Sequence, residues 1–201
     1  MRFPALLGTL LALHLTSSAW PTPAQSQWLV EVEVGSDRFW GGSVETTPEH
    51  RSFRPYHPAT FGAGLQRRWS GLGIGLRLRY ADASLALEGG DAVTAVKGVF
   101  TVYSASADAS YRVTSVGSEN ELRVHVGPLF EVWSIVGEKS RTRIGIQGAA
   151  SLGMPLGSRF AGVLSAGAAI IPSPFEDGEL TGYDLRALWR RRFAVGLQYR
   201  L

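Results

Sequence analysis

His125 is the side chain with the most reactive chemistry to offer. It alternates with Val124 and Val126 in an extended-looking run, shares a face with Arg123 and Glu131, and has Ser134 further along. A general base needs a nucleophile and an orienting carboxylate within hydrogen-bond reach, and those three types would make such a set. A paired or neutral histidine inside a polar network asks for less and is the simpler reading. His50 and His57 lie with Glu49 in a Pro-rich stretch. Two imidazoles can ligate a metal, but without cysteine or the tight spacing of zinc sites they read as ordinary loop polarity. No catalytic residue, metal or cofactor is assigned.

The wider chemical feature is charge placed on alternate positions. Glu31, Glu33, Arg68, Arg77, Arg79, Asp108, Arg112, Arg123, His125, Glu131 and Arg200 all stand opposite an apolar stripe. If those stripes face outward, the charges converge on one enclosed space. Ions of both signs must pair there, because an unpaired ion in a low-dielectric interior costs several kcal/mol. The expected result is an ion-pair network along a lumen. A second set is purely basic: Arg38, Arg51, Arg54, Arg186, Arg190, Arg191 and Arg192 cluster near two long connections. Guanidinium groups there could bind lipid phosphates bidentately, or could snorkel along apolar surface.

Composition narrows the classes. The chain has 201 residues, 45% hydrophobic and 18% charged, with 24 Gly, no Cys and a formal charge of +3. That apolar fraction supports one sizeable domain and excludes intrinsic disorder. Absence of cysteine removes disulfide scaffolds, iron–sulfur clusters, thiol nucleophiles and lipoprotein anchoring. The mild charge does not call for nucleic acid.

The elements that must position these groups are strands. Met1-Arg2 followed by an apolar run from Pro4 to Leu15 and then Thr16 to Ala19 reads as a secretory signal, with 1–26 removed and 27–201 left as the domain. Beyond it the hydrophobic period is two. Trp28, Val30, Val32 and Val34 share one face, as do Ile74, Leu76, Leu78 and Tyr80. The pattern repeats at 99–113, 122–132 and 193–201, more weakly at 60–69 and 143–156, and 159–171 is apolar on both faces, which makes eight strands. Connections at 41–59, 83–95, 136–142 and 172–191 are the long set; 70–73, 114–120 and 157–159 are the short set. Long and short alternate, as in an up-and-down meander with loops at one rim and turns at the other. The apolar content of 172–191 suggests packing over the rim, a short helix at 183–190 or a partner contact.

Alternation alone does not say which face is wet. Aromatic residues near strand ends (Trp28, Trp69, Tyr80, Tyr111, Tyr199), polar faces rich in Gly, Ser and Ala, and a scarcity of strand lysine favour lipid outside. The expected fold is therefore all-β, an up-and-down antiparallel eight-stranded transmembrane β-barrel. At the last strand, Gly196-Leu197-Gln198-Tyr199-Arg200-Leu201 resembles the C-terminal insertion signal of bacterial outer-membrane barrels, carried by Gly196, Tyr199 and Leu201. Leu201 stands where that family usually has an aromatic residue. The domain resembles the small barrels of the OmpX and OmpA-transmembrane kind.

That resemblance implies an outer-membrane location in a Gram-negative-type bacterium, lipid and lipopolysaccharide as surroundings, and the barrel-assembly machinery as a partner in biogenesis. The expected function is non-enzymatic, with a lumen closed by ion pairs and loops that contact lipopolysaccharide, a ligand or a partner protein. The alternatives are a soluble lipocalin-like barrel binding a small apolar ligand, or a lipid-A-modifying enzyme. The resemblance to barrel enzymes stops short: no Asp-Ser pair follows an early-loop histidine, and no histidine follows His125.

Overall fold

The computed structural model describes residues 26–46, 52–89, 92–116, 120–176, 179 and 182–201. The expected leader, apart from Ser26, lies outside the described residues, as do Glu49, His50 and Arg51; the side chain of His57 also falls outside them.

Eight strands follow in order: β1 (Gln27–Glu45), β2 (Ser52–Trp69), β3 (Leu72–Gly89), β4 (Ala92–Val116), β5 (Asn120–Ile135), β6 (Arg141–Pro155), β7 (Phe160–Ile171) and β8 (Tyr183–Arg200). Each pairs antiparallel with the next, and β8 returns to β1 from Leu29↔Arg200 to Glu45↔Tyr183, so the sheet closes on itself. The all-β up-and-down eight-stranded barrel read from the sequence is the fold observed.

Exposure settles which face is wet. Val32 and Val34 are 54% exposed and Leu76 and Leu78 65%, whereas Glu31 is 7% and Arg123 1%. Apolar area left in water forfeits roughly 25 cal/mol per Å², so a continuous outward belt of valine, leucine and isoleucine requires hydrocarbon around it. A soluble lipocalin-like barrel has the reverse arrangement at mid-height, and that alternative falls here.

The strands run 12 to 25 residues, against about 9–11 needed to cross a bilayer. The barrel therefore continues beyond the membrane, at the end away from the short turns. Its polarity changes sides as it does so. Inward positions on β1 pass from Glu31, Glu33 and Asp37 to Phe39; on β5 Glu131 gives way to Trp133 and Ile135; on β8 Arg190 gives way to Leu188. Outward positions pass the other way, from Tyr80 to Asp82 on β3 and from Tyr103 to Thr101 on β4. Phe39, Phe100, Leu129, Trp133, Ile171 and Leu188 form an apolar cluster inside this outer storey. Trp133 meets Phe39 and Phe100 edge-on, each at 5.9 Å between ring centres.

This exchange corrects the expected connections. Most of 41–59 and 83–95 is strand, and 183–190 begins β8 instead of forming a helix. A stripe followed by its outward greasy residues is lost at the level where those residues turn polar. Register shifts between Gly41 and Ser43 on β1 and between Tyr56 and Ala59 on β2 break the period further.

Candidate functional site

The inward face of the membrane-level barrel is a layered set of ion pairs. Nearest the short turns, Glu121 accepts from Arg123 at 2.5 Å and from Arg68 at 3.3 Å, and Arg123 also donates to the Gly71 carbonyl at 3.0 Å. This holds the two-residue Ser70-Gly71 turn against the lumen; Ser70 adopts φ 46°, a left-handed conformation that a tight hairpin demands. One layer up, Arg77 lies 3.4 Å from Glu31 and 3.3 Å from Asp108, and Arg79 donates to Glu33 at 2.8 Å. Amides cross-link the carboxylates: Gln147 donates to Asp108 at 2.6 Å and Gln198 to Glu31 at 3.0 Å. Higher still, Arg192 donates to Glu33 at 2.8 Å, and Arg190 reaches Glu131 at 2.5 Å with Asp37 at 3.7 Å. Glu131 also accepts from the Ser104 hydroxyl and the Trp133 indole, both at 3.0 Å. That bond joins the ionic layers to the apolar cluster above.

Arg68, Arg77, Arg79, Arg123, Arg190 and Arg192 thus face Glu31, Glu33, Asp37, Asp108, Glu121 and Glu131, and the formal charges cancel. Small inward side chains make room for the long guanidinium stems. A Cβ on Gly62 would stand 2.7 Å from the Glu33 carboxylate. The space left over is slight: cavities of about 30 Å³ beside Arg77, His125 and Gln147, and of about 10 Å³ beside Gln66 and Asp108. A single water needs on the order of 10–15 Å³.

Of the residues read as inward, Arg112 and Arg200 are exposed at the turn-side mouth, Arg112 at 3.9 Å from Glu121. His125 is buried and shares a 2.7 Å hydrogen bond between its Nε2 and the Ser151 hydroxyl, and its Nδ1 has no partner. Ser134 stands on the opposite face of β5, because it differs from His125 by an odd number of residues; the two are not brought together. Among the described residues no carboxylate bonds the imidazole, so His125, Ser134 and Glu131 do not assemble as a base–nucleophile–carboxylate set. Among the described residues there is no cluster of three or more His, Cys, Asp or Glu that could hold a metal.

The basic rim divides. Arg190 and Arg192 are buried, 4% and 8% exposed, in the ion pairs above, and so are not at the lipid surface where they were expected. Their direction was available from the alternation of Ala194 and Gln198, once extended through what had read as loop. Arg54 donates to the Phe39 carbonyl at 2.6 Å. Arg38, Arg186 and Arg191 are exposed. The reading also missed Asp37, Glu121, Arg141 and Arg143. The first two sit one step along faces already identified. The last two fasten the segment after β7: Arg143 donates to the Ser173 carbonyl at 2.6 Å, Arg141 to that of Pro174 at 3.0 Å, and Arg141 also pairs with Glu179. The fastened Phe175 packs on Phe100 at 6.2 Å, over the apolar cluster.

At the chain's end, Tyr199 stacks obliquely on Phe160 at 5.0 Å, and Leu201 donates its amide to the Trp28 carbonyl at 3.0 Å. Gly196 admits its neighbour closely, since a Cβ there would stand 3.0 Å from the Val32 carbonyl.

No protein-family model matches the chain, and no curated protein matches it. Solved structures do. The outer membrane protein OprG from Pseudomonas aeruginosa superposes with a TM-score of 0.59 at 9% identity, covering 89% of this chain and 97% of that one. Neisserial surface protein A gives 0.57 at 11%, covering 87% and 97%. The outer membrane protein AlkL, solved in DMPC lipid bilayers, gives 0.54 at 11%, covering 92% and 94%. At such identities the likeness is one of architecture. With the outward apolar belt and the inward charges, it establishes the chain as a small eight-stranded transmembrane β-barrel with the fold of bacterial outer-membrane proteins.

Proposed function

We propose that this chain is a non-enzymatic outer-membrane barrel, exported by residues 1–26, whose lumen is plugged by its ion pairs and whose loop-side rim contacts lipopolysaccharide or another surface ligand. The observation that carries the reading is the charge-neutral inward network of six guanidinium groups against six carboxylates, continued upward by packed aromatic rings. Eight strands enclose a space that side chains fill, and a hydrated pore would need those groups to part. A closed lumen also suits a body that presents surface chemistry to its surroundings. Against an enzyme stands the small space at His125, which admits water and not an acyl chain. Gly196, Tyr199 and Leu201 would be read by the barrel-assembly machinery during insertion.

Planar-bilayer recording on the purified barrel tests the plug. The expected trace shows at most small, flickering conductance; large stable steps would refute it.

A further inference from the structure

On the outward face, β1 and β8 place two arginines side by side. Arg38 and Arg191 are register partners, both exposed, each two residues nearer the middle of the apolar belt than the paired Trp40 and Trp189. Residues two apart on a strand stand ~7 Å apart. Like charges directly opposed across strands repel, and among the described residues no carboxylate pairs with either one. An aromatic ring answers one of them, the Arg191 guanidinium lying 4.7 Å over Trp40. Charge on the lipid face of a barrel is costly unless it reaches the interface or finds a counter-ion. Two such charges together ask for an anion.

The wall beside them is hollowed. On β7 the register partner of Arg191 is Ala168, whose own partner on β6 is Gly148; the next outward row down holds Phe193, Ala166 and Ala150. Below Ala168 and Gly148, the short Ala166 and Ala150 leave a groove of about 650 Å³, bounded by Phe193, Val195, Leu164 and Leu152, reaching Val34 on β1 and Leu122 on β5 and opening outward to lipid. Arg191 stands one outward row above Phe193, which lines the groove. A paired cation above an oily furrow in the belt matches one molecule in charge and in shape: a lipid with a phosphate at the interface and an acyl chain beneath it.

We infer that Arg38 and Arg191 bind a lipid A phosphate of outer-leaflet lipopolysaccharide, with one of its acyl chains in the groove that runs from β5 across β6, β7 and β8 to β1. This rests on the outer-membrane reading, which sets the loop side in the outer leaflet, and it narrows the expected rim contact to one site. Bidentate guanidinium–phosphate bonds supply the affinity, and the furrow selects a lipid over a soluble anion.

The test uses the full mature barrel, purified in detergent and shown folded by its faster migration on unheated gels. It is moved into phosphatidylcholine nanodiscs doped with bisphosphorylated lipid A, and retained lipid is counted by native mass spectrometry. The wild-type chain is expected to retain lipid A. R38Q/R191Q should lose retention by on the order of tenfold or more, as charge-assisted bonds of this kind imply. A166F, which fills the furrow and leaves both arginines, should lose it too. Dephosphorylated lipid A should not be retained, and inorganic phosphate should not displace the bound lipid. Folded R38Q/R191Q that holds lipid A like the wild type overturns the site, and displacement by inorganic phosphate alone overturns the lipid assignment. A wild-type chain recovered in buffer without detergent would instead bring down the membrane reading beneath it.

Discussion

Glu131 joins three kinds of donor in the lumen, taking bonds from a guanidinium, a hydroxyl and an indole while fully buried. Substituting Glu131→Gln removes the charge that Arg190 needs and leaves that cation with Asp37 at 3.7 Å. Breaking a buried pair from one side costs ~3–5 kcal/mol. Denaturant titration of the folded barrel in micelles should show that loss. Arg112→Gln, at the exposed mouth, should cost less than about 1 kcal/mol in the same titration. The sequence made Glu131, Arg123 and Arg77 legible, since each stands one step from an apolar neighbour in a clean alternation. It hid Arg190 and Arg192, because a run of three arginines beside Trp189 looks the same whether it lies in a loop or in a strand. The alternation of Ala194 and Gln198 separates the inward pair from Arg191 only once it is carried back through that run, as the register with β1 does. His125 was legible as a polar inward residue, and its partner Ser151 was not, since the two meet across strands with nothing in their spacing to announce it.

The elements are held by close approaches that the sequence states only as glycine. On β6, a Cβ at Gly145 would stand 2.2 Å from a methyl of Ile171 and 2.3 Å from the Ile170 carbonyl, so β6 and β7 can come together only without one. Gly145→Ala should destabilise the barrel by roughly 1–3 kcal/mol, as overpacking does, and hydrogen exchange should quicken first at the loop-side ends of those two strands. The segment after β7 is an element in its own right, fastened by Arg141 and Arg143 to three carbonyls from Ser173 to Phe175. Hydrogen bonds to charged groups contribute about 1.5–3 kcal/mol each. Arg141→Gln should therefore raise cleavage by added protease within 173–179 by on the order of tenfold or more, with the membrane-level strands unaffected. Strand number and order were readable because the outward stripe repeats cleanly through the membrane. Strand ends were not, because the stripe changes faces there and the period is lost without the strand stopping.

For the whole molecule the decisive quantity is the apolar belt. Leu76 sits in it with 65% of its surface exposed. Leu76→Arg would set a charge against hydrocarbon, which costs about 2–4 kcal/mol near mid-bilayer. The expected result is a matching drop in unfolding free energy from phospholipid vesicles, and less heat-resistant folded band on gels; an unchanged free energy would contradict lipid contact at that position. The architecture was legible because a closed meander needs no long-range information beyond the order of its hairpins. The outer storey was not, since its apolar cluster draws one to three residues from each of several strands.

The exchange of oily and polar faces along β1, β3, β4, β5 and β8 acts as a draught mark on a hull. Raised by a single strand step, the barrel would lift valine and leucine into water; lowered by one, it would drown Arg38, Asp82 and Thr101. Vertical position is thereby pinned from both sides, and a bilayer whose thickness does not suit must pucker to meet the waterline.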